Sequence, residues 1–331
     1  MNVRAAALSA GVLAGALLAG GCGGGSDTDL VVYSGRSEPL IKPFLDDFAQ
    51  KEGLDVKVRF ADTGDLVGTL LEEGERTRAD VFIAQDAAAL ERLRAERLLQ
   101  PYEGALKTPK RYRAADGSWT GLSGRARVLI VPQGAERPRS VFDLIDPRWK
   151  GRVAAPATSN VSFRDWVSAI RVKKGDAFAR RYLEGLKDNG LEVLASHGEV
   201  RNAVGEGEFD LGLVNHYYVE LEKREGSKVE AVYTDQEPGG FGAVFNVAAA
   251  GITRSSEHRD NARKLMDYLL APAVQERFAR ANYEYPLLPG LRPAEGVRPL
   301  DGVRTTQVSY RDLGAAAEGT DRLLERVGLG D

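Results

Sequence analysis

The sequence predicts an α/β fold whose two lobes enclose a cleft. Short apolar strands alternate with helical segments along most of the chain, the strands end in polar residues, and the strand-end loops fall into two groups. Strands and helices that alternate in this way form parallel sheets covered by helices. Ligands of such sheets bind beyond the carboxyl ends of the strands. Two lobes with facing strand-end loops would therefore enclose a binding site.

The start of the chain is predicted to be a secretory signal. Arg4 is followed by a run of small and apolar residues that ends at Cys22. This run is too short for a membrane-spanning helix. We expect residues 1–21 to be a lipoprotein-type signal peptide, Cys22 to carry the lipid, and residues 22–29 to be a flexible tether. Cleavage elsewhere in the small-residue run, without a lipid, is the alternative. Either reading puts the mature protein outside the cytoplasm, in the periplasm or anchored to the cell membrane.

Composition limits the classes of partner and of site. Cys22 is the only cysteine in 331 residues, so the chain has no internal disulfide and no cysteine-based metal site. The formal net charge of −3 argues against a nucleic-acid partner, which normally requires a basic face. No later segment approaches the roughly 20 apolar residues of a membrane span. We therefore expect membrane contact only through a lipid on Cys22.

The first part of the chain alternates strands and helices in short units. "LVVYSG" is an apolar strand, and the helical spacing of Leu40, Phe44, Leu45 and Phe48 follows it and stops at Gly53. The next predicted elements are the strand "DVKVRFAD", the helix "DLVGTLLEEGER", the strand "ADVFIAQD" and the helix "AAALERLRAERLL".

A second group of elements has the same character. The strands "GRARVLIV", "GRVAAP" and "EFDLGLV" are separated by helices predicted at 163–173, 177–186 and 199–205. The strand "GGFGAVFNVAAAGI" and the helices "HRDNARKLMDYLLAP" and "AVQERFARANYEYP" follow. We assign residues 30–125 plus 245–331 to lobe 1 and residues 126–244 to lobe 2.

Polar residues follow the predicted strands of both lobes. In lobe 1 they are residues 34–38, 61–65 and 84–86, and in lobe 2 they include Asn215, His216, Tyr217 and Tyr218 directly after "EFDLGLV". Adjacent side chains of a strand point to opposite faces. The two tyrosines can share one ligand only if the strand breaks at the polar Asn215-His216 pair.

Six segments give the chain a family resemblance, and they are spread over residues 32–289, which is most of the predicted mature chain. They are "VYSGRSEPLIKPFLDDFAQKEGLDVKVRF", "LLEEGERTRADVFIAQDAAAL", "WTGLSGRARV", "KGRVAAP", "AVGEGEFDLGLVNHYY" and "NYEYPLLP". In this order they resemble the ferric-ion-binding proteins, the extracytoplasmic receptors of bacterial iron ABC transporters. The resemblance implies a two-lobed type II periplasmic-binding-protein fold that closes by a hinge, a monomer, and an ABC permease and ATPase as partners.

The resemblance also implies that Tyr217 and Tyr218 bind iron, because they correspond to the paired tyrosine ligands of the family. Fe(III) is a hard cation that prefers oxygen donors, and phenolate is a strong one. A bound cation stabilises the deprotonated phenol although free tyrosine has a pKa of about 10. The alternative is that the two tyrosines only pack against neighbouring residues and bind no metal.

The remaining ligands of the family have no direct counterpart here. Arg36-Ser37-Glu38 stands where other members have a histidine, and Gln85-Asp86 stands where others have a glutamate. The resemblance therefore implies that an anion, carbonate or phosphate, completes the iron shell. The expected anion donors are Arg36, Ser37, Arg127, Asn160 and Asn215, with Arg125, Ser159 and Ser162 as further donors. The possible additional metal ligands are Glu38, Gln85, Asp86 and His216.

Several of these residues have a plainer reading. Arg36 could be a solvated charge at a strand end, Arg127 could bridge the lobes, and the residues around Asn160 could only cap a helix. Glu38 and Asp86 fit charges at helix starts better than metal ligands. His216 fits a position beside the iron shell, and His197 is expected at the surface.

Two other functions remain open. A receptor of the same fold could bind an oxyanion, a phosphonate or a polyamine. An enzyme is less well supported, because the chain has no nucleophile elbow, HExxH motif or P-loop. A hydrolase or transferase would have to use Ser37, His216 and Asp86.

Overall fold

The computed structural model describes residues 28–329. The predicted signal peptide, Cys22 and most of the predicted tether lie outside the described residues. Their assignments therefore stay predictions.

Lobe 1 begins with three strands, each followed by a helix. The elements are β1 (Leu30–Ser34), α1 (Glu38–Glu52), β2 (Val56–Phe60), α2 (Thr63–Glu73), β3 (Val81–Ala84) and α3 (Ala87–Ala95). β1 pairs in parallel with both β2 and β3. Helix α1 buries Phe44, Leu45 and Phe48, and Gly53 ends it in the left-handed conformation with φ 67°. The predicted order of elements is confirmed in this region.

Lobe 2 follows after two further strands, β4 (Leu99–Gln100) and β5 (Thr120–Pro132). Its elements are β6 (Val153–Pro156), α4 (Val161–Lys174), α5 (Asp176–Asp188), β7 (Glu192–Leu194), α6 (His197–Gly205), β8 (Leu211–Asn215), α7 (His216–Arg224) and β9 (Val229–Val232). β6 pairs in parallel with β7 and β8. The sequence patterns did not predict the short strands β4, β7 and β9, which have too few residues to show a period.

The chain then returns to lobe 1 through β10 (Phe245–Thr253), α8 (Arg259–Leu269) and α9 (Pro272–Asn282), and ends with α10 (Tyr310–Val327). Among residues 28–329, no helix combines the length and the apolar character that crossing a membrane requires.

The sheet is mixed rather than purely parallel, which corrects one expectation. Its strand order is β2-β1-β3-β10-β5-β8-β6-β7, with β4 beside β10 and β9 beside β5. β10 runs antiparallel to β3 and β5, and β5 runs antiparallel to β8 and β9. Residues 120–126 of β5 pair with β10, and residues 127–132 pair with strands of lobe 2. One long strand thus belongs to both lobes, and the antiparallel pairs arise where the chain crosses between them. The α/β fold class itself is confirmed.

Helix α10 contacts helices from both parts of the chain. It packs against α3, which follows β3, and against α4 of lobe 2. Ser168 Oγ and Thr320 Oγ1 are 2.8 Å apart, and Arg171 Nη1 donates to the carbonyl oxygen of Ala316 at 2.8 Å. The C-terminal helix, which we assigned to lobe 1 from the sequence, is therefore bonded to α4 as well.

Candidate metal centre

A cavity of about 460 Å³ lies where strand ends of the two lobes face each other. Lobe 1 contributes the residues after β1, the start of α2 and the residue after β3, and lobe 2 contributes the starts of α4, α6 and α7. The lining residues used below are Ser37, Asp62, Thr63, Asp65, Gln85, Asn160, Arg164, His197, Tyr217 and Tyr218. Because four helices begin at this cavity, the positive ends of their dipoles make it favourable for negative charge.

Tyr217 and Tyr218 line the cavity together because β8 ends just before them. The strand stops at Asn215 and α7 starts at His216, so the predicted break is present. The two rings have centroids 4.4 Å apart and are tilted by 30°. Tyr217 is 3% exposed, and Tyr218 is half-buried. Burial, followed by the neighbouring Tyr217, raises the pKa of Tyr218 above its ordinary value. In the free protein Tyr218 is therefore a neutral phenol.

A glycine in β8 lets the start of α6 lie beside the two tyrosines. A side chain at Gly212 in β8 would meet Val200 of α6 at 2.6 Å and Ile130 of β5 at 2.8 Å. The missing side chain lets α6 pack directly on β8. The first residue of α6, His197, thereby reaches the tyrosine pair, with its ring 5.0 Å from that of Tyr218.

His197 and Arg127 form a buried pair behind the tyrosines. Arg127 Nη1 lies 3.3 Å from His197 Nε2. Because a guanidinium only donates, Nε2 accepts and the ring proton lies on Nδ1. Burial lowers the pKa of His197 well below its ordinary value, and it lowers the pKa of Arg127 to about 9. The expectation of a surface His197 is wrong: the side chain is 3% exposed. Its position after a three-residue strand left no signal in the sequence.

The start of α4 brings two of the predicted anion donors together. Asn160 lines the cavity, and its Oδ1 caps α4 by accepting from Ser162 N at 3.0 Å. Asn215 is 4% exposed and donates from Nδ2 to Ser162 Oγ at 3.3 Å. Asn215 thus lies behind Ser162 and holds the start of α4 against the end of β8.

Arg36 lies beneath the cavity wall rather than in it. The side chain is 2% exposed, and its Nη2 donates to both carboxylate oxygens of Glu284, at 3.0 and 3.1 Å. Ser123 Oγ also donates to Glu284, and Arg36 Nη1 donates to Gln85 Oε1 at 3.3 Å. Because this charge is already paired with a buried carboxylate, we do not retain Arg36 among the anion donors.

The other predicted residues lie at separate places. Ser37 is exposed on the cavity wall, while Glu38 starts α1 outside the lining. Asp86 is 2% exposed and caps α3 by accepting from Ala89 N at 2.9 Å. His216 Nδ1 accepts from Ala126 N at 3.2 Å, and the residue lines a different cavity of about 880 Å³. The hydrolase set of Ser37, His216 and Asp86 therefore does not meet at one cavity.

Sequence analysis placed Asp62 and Asp65 in the strand-end group 61–65 without assigning them a role, and it did not single out Arg164. Asp62 and Asp65 are exposed at the start of α2, and Arg164 lies on the first turn of α4. Their positions in the sequence could have identified them, because all three residues lie within four residues of a strand end or helix start. Among residues 28–329, no cluster of three or more His, Cys, Asp or Glu side chains could hold a metal ion. Tyr217 and Tyr218 supply a different donor, the phenol oxygen.

Comparison with known sequences identifies the family of this chain. The sequence profile of the bacterial extracellular solute-binding proteins matches residues 30–284. The major ferric iron-binding protein of Neisseria meningitidis serogroup A is 31% identical over 315 residues, which is 91% of this chain and 93% of that protein.

Solved structures agree in fold. Iron-bound HitA from Pseudomonas aeruginosa superposes with a TM-score of 0.83 at 28% identity, over 90% of this chain and 99% of that one. A Trichodesmium protein in complex with iron and citrate superposes with a TM-score of 0.78 at 25% identity, over 91% of this chain and 99% of that one. The chain therefore belongs to the bacterial extracellular solute-binding proteins and, within them, to the family of the ferric iron-binding proteins.

Proposed function

We propose that this protein captures ferric iron outside the cytoplasm, in the cavity between its lobes, and delivers it to an ABC importer. The observation that carries the proposal is the placement of Tyr217 and Tyr218 side by side on the cavity wall. Fe(III) is the common biological cation that most favours phenolate oxygen. The permease and ATPase of an iron importer are the partners, in keeping with the family.

An oxyanion completes the iron shell in this proposal. Two phenolates leave most positions of a six-coordinate ferric ion open, and the cavity wall is rich in donors. The start of α4 adds the positive end of its helix dipole, and Arg164 and Ser37 add a cation and a hydroxyl. Carbonate or phosphate fits these donors, and a carboxylate such as the citrate of the Trichodesmium complex has the same chemistry.

The buried Arg127 supports the phenolates from behind. Two phenolates and a doubly charged anion such as carbonate bring four negative charges, one more than the ferric ion neutralises. A buried guanidinium beside the pair offsets part of this excess. In this reading Arg127 stabilises the loaded site as a whole and does not line the cavity.

Replacing either tyrosine by phenylalanine tests the proposal. Tyr217→Phe and Tyr218→Phe keep ring volume and remove only the oxygen donor. We expect each variant to stay folded and to lose more iron affinity than the roughly 10- to 100-fold that loss of an outer-shell partner costs. The visible phenolate-to-iron charge-transfer band of the wild type should weaken in each and vanish in the double variant.

The matched control is Tyr268→Phe, whose hydroxyl bonds to Asp47 Oδ2 outside the cavity and should not affect the band. A wild-type protein that stays colourless with Fe(III) and bicarbonate would overturn the ferric function. The donor-rich wall would then favour an oxyanion or phosphonate as the ligand itself, and phosphate binding without iron would show this.

A further inference from the structure

The residue after β3, Gln85, is held by three separate contacts. Its backbone N donates to Thr63 Oγ1 at 3.0 Å, and its carbonyl oxygen accepts from Arg125 Nη2. Its side-chain Oε1 accepts from Arg36 Nη1 at 3.3 Å. The backbone and the amide of this cavity-lining residue are both restrained.

The contact with Arg36 decides which end of the amide faces the cavity. A guanidinium has no acceptor, so the Gln85 atom beside it must be the carbonyl oxygen and not the nitrogen. Arg36 cannot turn away, because Glu284, which is 0% exposed, binds its other nitrogen at 3.0 and 3.1 Å. The planar amide then presents Nε2 on the side away from Arg36. Within residues 28–329, Gln85 Nε2 has no protein acceptor.

We propose that Gln85 is the lobe 1 residue that positions the anion, by donating from Nε2 to an anionic oxygen bound to the iron. The inference rests on the proposed function and names the role of one wall of that site. Nε2 has no lone pair available for a metal, and Oε1 is occupied by Arg36, so Gln85 does not ligate iron. The buried Arg36–Glu284 pair positions this donor. The exposed Ser37 hydroxyl lies on the same wall.

The nearby carboxylates Asp62 and Asp65 are the competing candidates for this wall. Both are exposed at the start of α2, and an iron-bound carboxylate there would replace the anion. The two arrangements differ in one measurable property. With a carboxylate in the iron shell, iron binding would not depend on an added anion. With the Gln85 arrangement it does, and that dependence is sensitive to the Gln85 amide.

Phosphate titration of the ferric protein tests the assignment. Fe(III)-loaded protein in buffer free of phosphate and carbonate is titrated with inorganic phosphate, and the half-saturating concentration is read from the shift of the charge-transfer band. Gln85→Met keeps the length of the side chain but removes the donor. We expect its half-saturating phosphate concentration to rise about tenfold, the effect of one hydrogen bond to a charged group. Iron affinity at saturating phosphate should stay near that of the wild type.

Two further variants separate this role from a structural one. Gln85→Glu has nearly the same shape but repels the anion, so it should raise the half-saturating concentration more than Gln85→Met does. Gln307→Met, at an exposed position outside the cavity, should change nothing. A Gln85→Met protein that keeps the band and the wild-type phosphate response would overturn the assignment of Gln85 alone. A wild type that forms no band would overturn the proposed function instead.

Discussion

At the scale of single residues, the candidate site combines two tyrosines in the cavity with two buried arginines outside its lining. Tyr217 and Tyr218 face the cavity, while Arg127 pairs with His197 and Arg36 pairs with Glu284 out of solvent. A buried charge is costly unless it has a partner. Each guanidinium is therefore held in one orientation, and it holds the neighbouring cavity residue in turn.

The Arg36–Glu284 pair gives a prediction about stability. Arg36→Met leaves the fully buried Glu284 carboxylate without its cation, and such a loss typically costs about 3–5 kcal/mol. We expect the free energy of unfolding in urea to fall by that amount. Arg280→Met is the control, because its ion pair with Glu276 is exposed and worth at most ~1 kcal/mol. Equal effects of the two substitutions would contradict the buried role of Arg36.

At the scale of elements, the site depends on where helices start relative to strands. The starts of α4, α6 and α7 reach one cavity because β6, β7 and β8 lie side by side in parallel and end at the same edge. Gly212 sets the close approach of α6 to β8. Helix α4 is also tied to the crossing strand β10, because Asn246 Nδ2 donates to Asp165 Oδ2.

Asp165 of α4 gives a prediction about pH. Burial, followed by the nearby carboxylate of Asp86, raises the pKa of Asp165 to about 8, against the lowering effect of nearby arginines. Those arginines are Arg164, Arg125 and Arg127. The folded protein therefore holds a proton that the unfolded chain releases near its ordinary pKa of about 4. The contribution of Asp165 to stability is then present at acidic pH and is lost as the pH rises from about 4 to about 8.

Asp165→Asn removes this titration and keeps an acceptor for Asn246. We expect the variant to gain stability relative to the wild type as the pH rises through that window, and to differ little below it. Urea unfolding at a series of pH values measures the difference. A wild-type-to-variant difference that does not change with pH would show that Asp165 is not protonated in the folded protein.

At the scale of the whole molecule, two lobes share one mixed sheet and one terminal helix. β5 pairs with β10 on one side of the crossing and with β8 and β9 on the other, and α10 packs against both α3 and α4. Relative motion of the lobes must therefore bend these shared elements. Family members close on their ligand by such a hinge motion, and the cavity lined from both lobes is consistent with that mode.

The attachment of the whole molecule to the membrane is predicted from Cys22. Cys22→Ser removes the only thiol of the chain, so no other side chain can carry a thioether-linked lipid. We expect the variant to appear in the soluble fraction while it keeps its iron-binding band. Fractionation of cells with and without detergent measures this. Retention of the variant in the membrane fraction would rule out Cys22 as the anchor.

The sequence by itself determined the features that depend on neighbours along the chain. The strand and helix periods predicted most elements, and the polar Asn215-His216 pair predicted the break that places Tyr217 and Tyr218 on one wall. The six segments that resemble the ferric-ion-binding proteins predicted the two-lobed form of the α/β fold. These features follow from local backbone preference and the spacing of apolar residues, which a single segment already contains.

Only the tertiary structure decided the features that depend on distant pairs. Arg36 is paired with Glu284, 248 residues further along the chain, and this contact turns an expected anion donor into a support for Gln85. His197 is buried beside Arg127, 70 residues away, although its local sequence indicated a surface position. The antiparallel crossing of β5 and β10 likewise needs both lobes. A side chain's burial and charge partner are set by the packing of distant segments, so no local pattern records them.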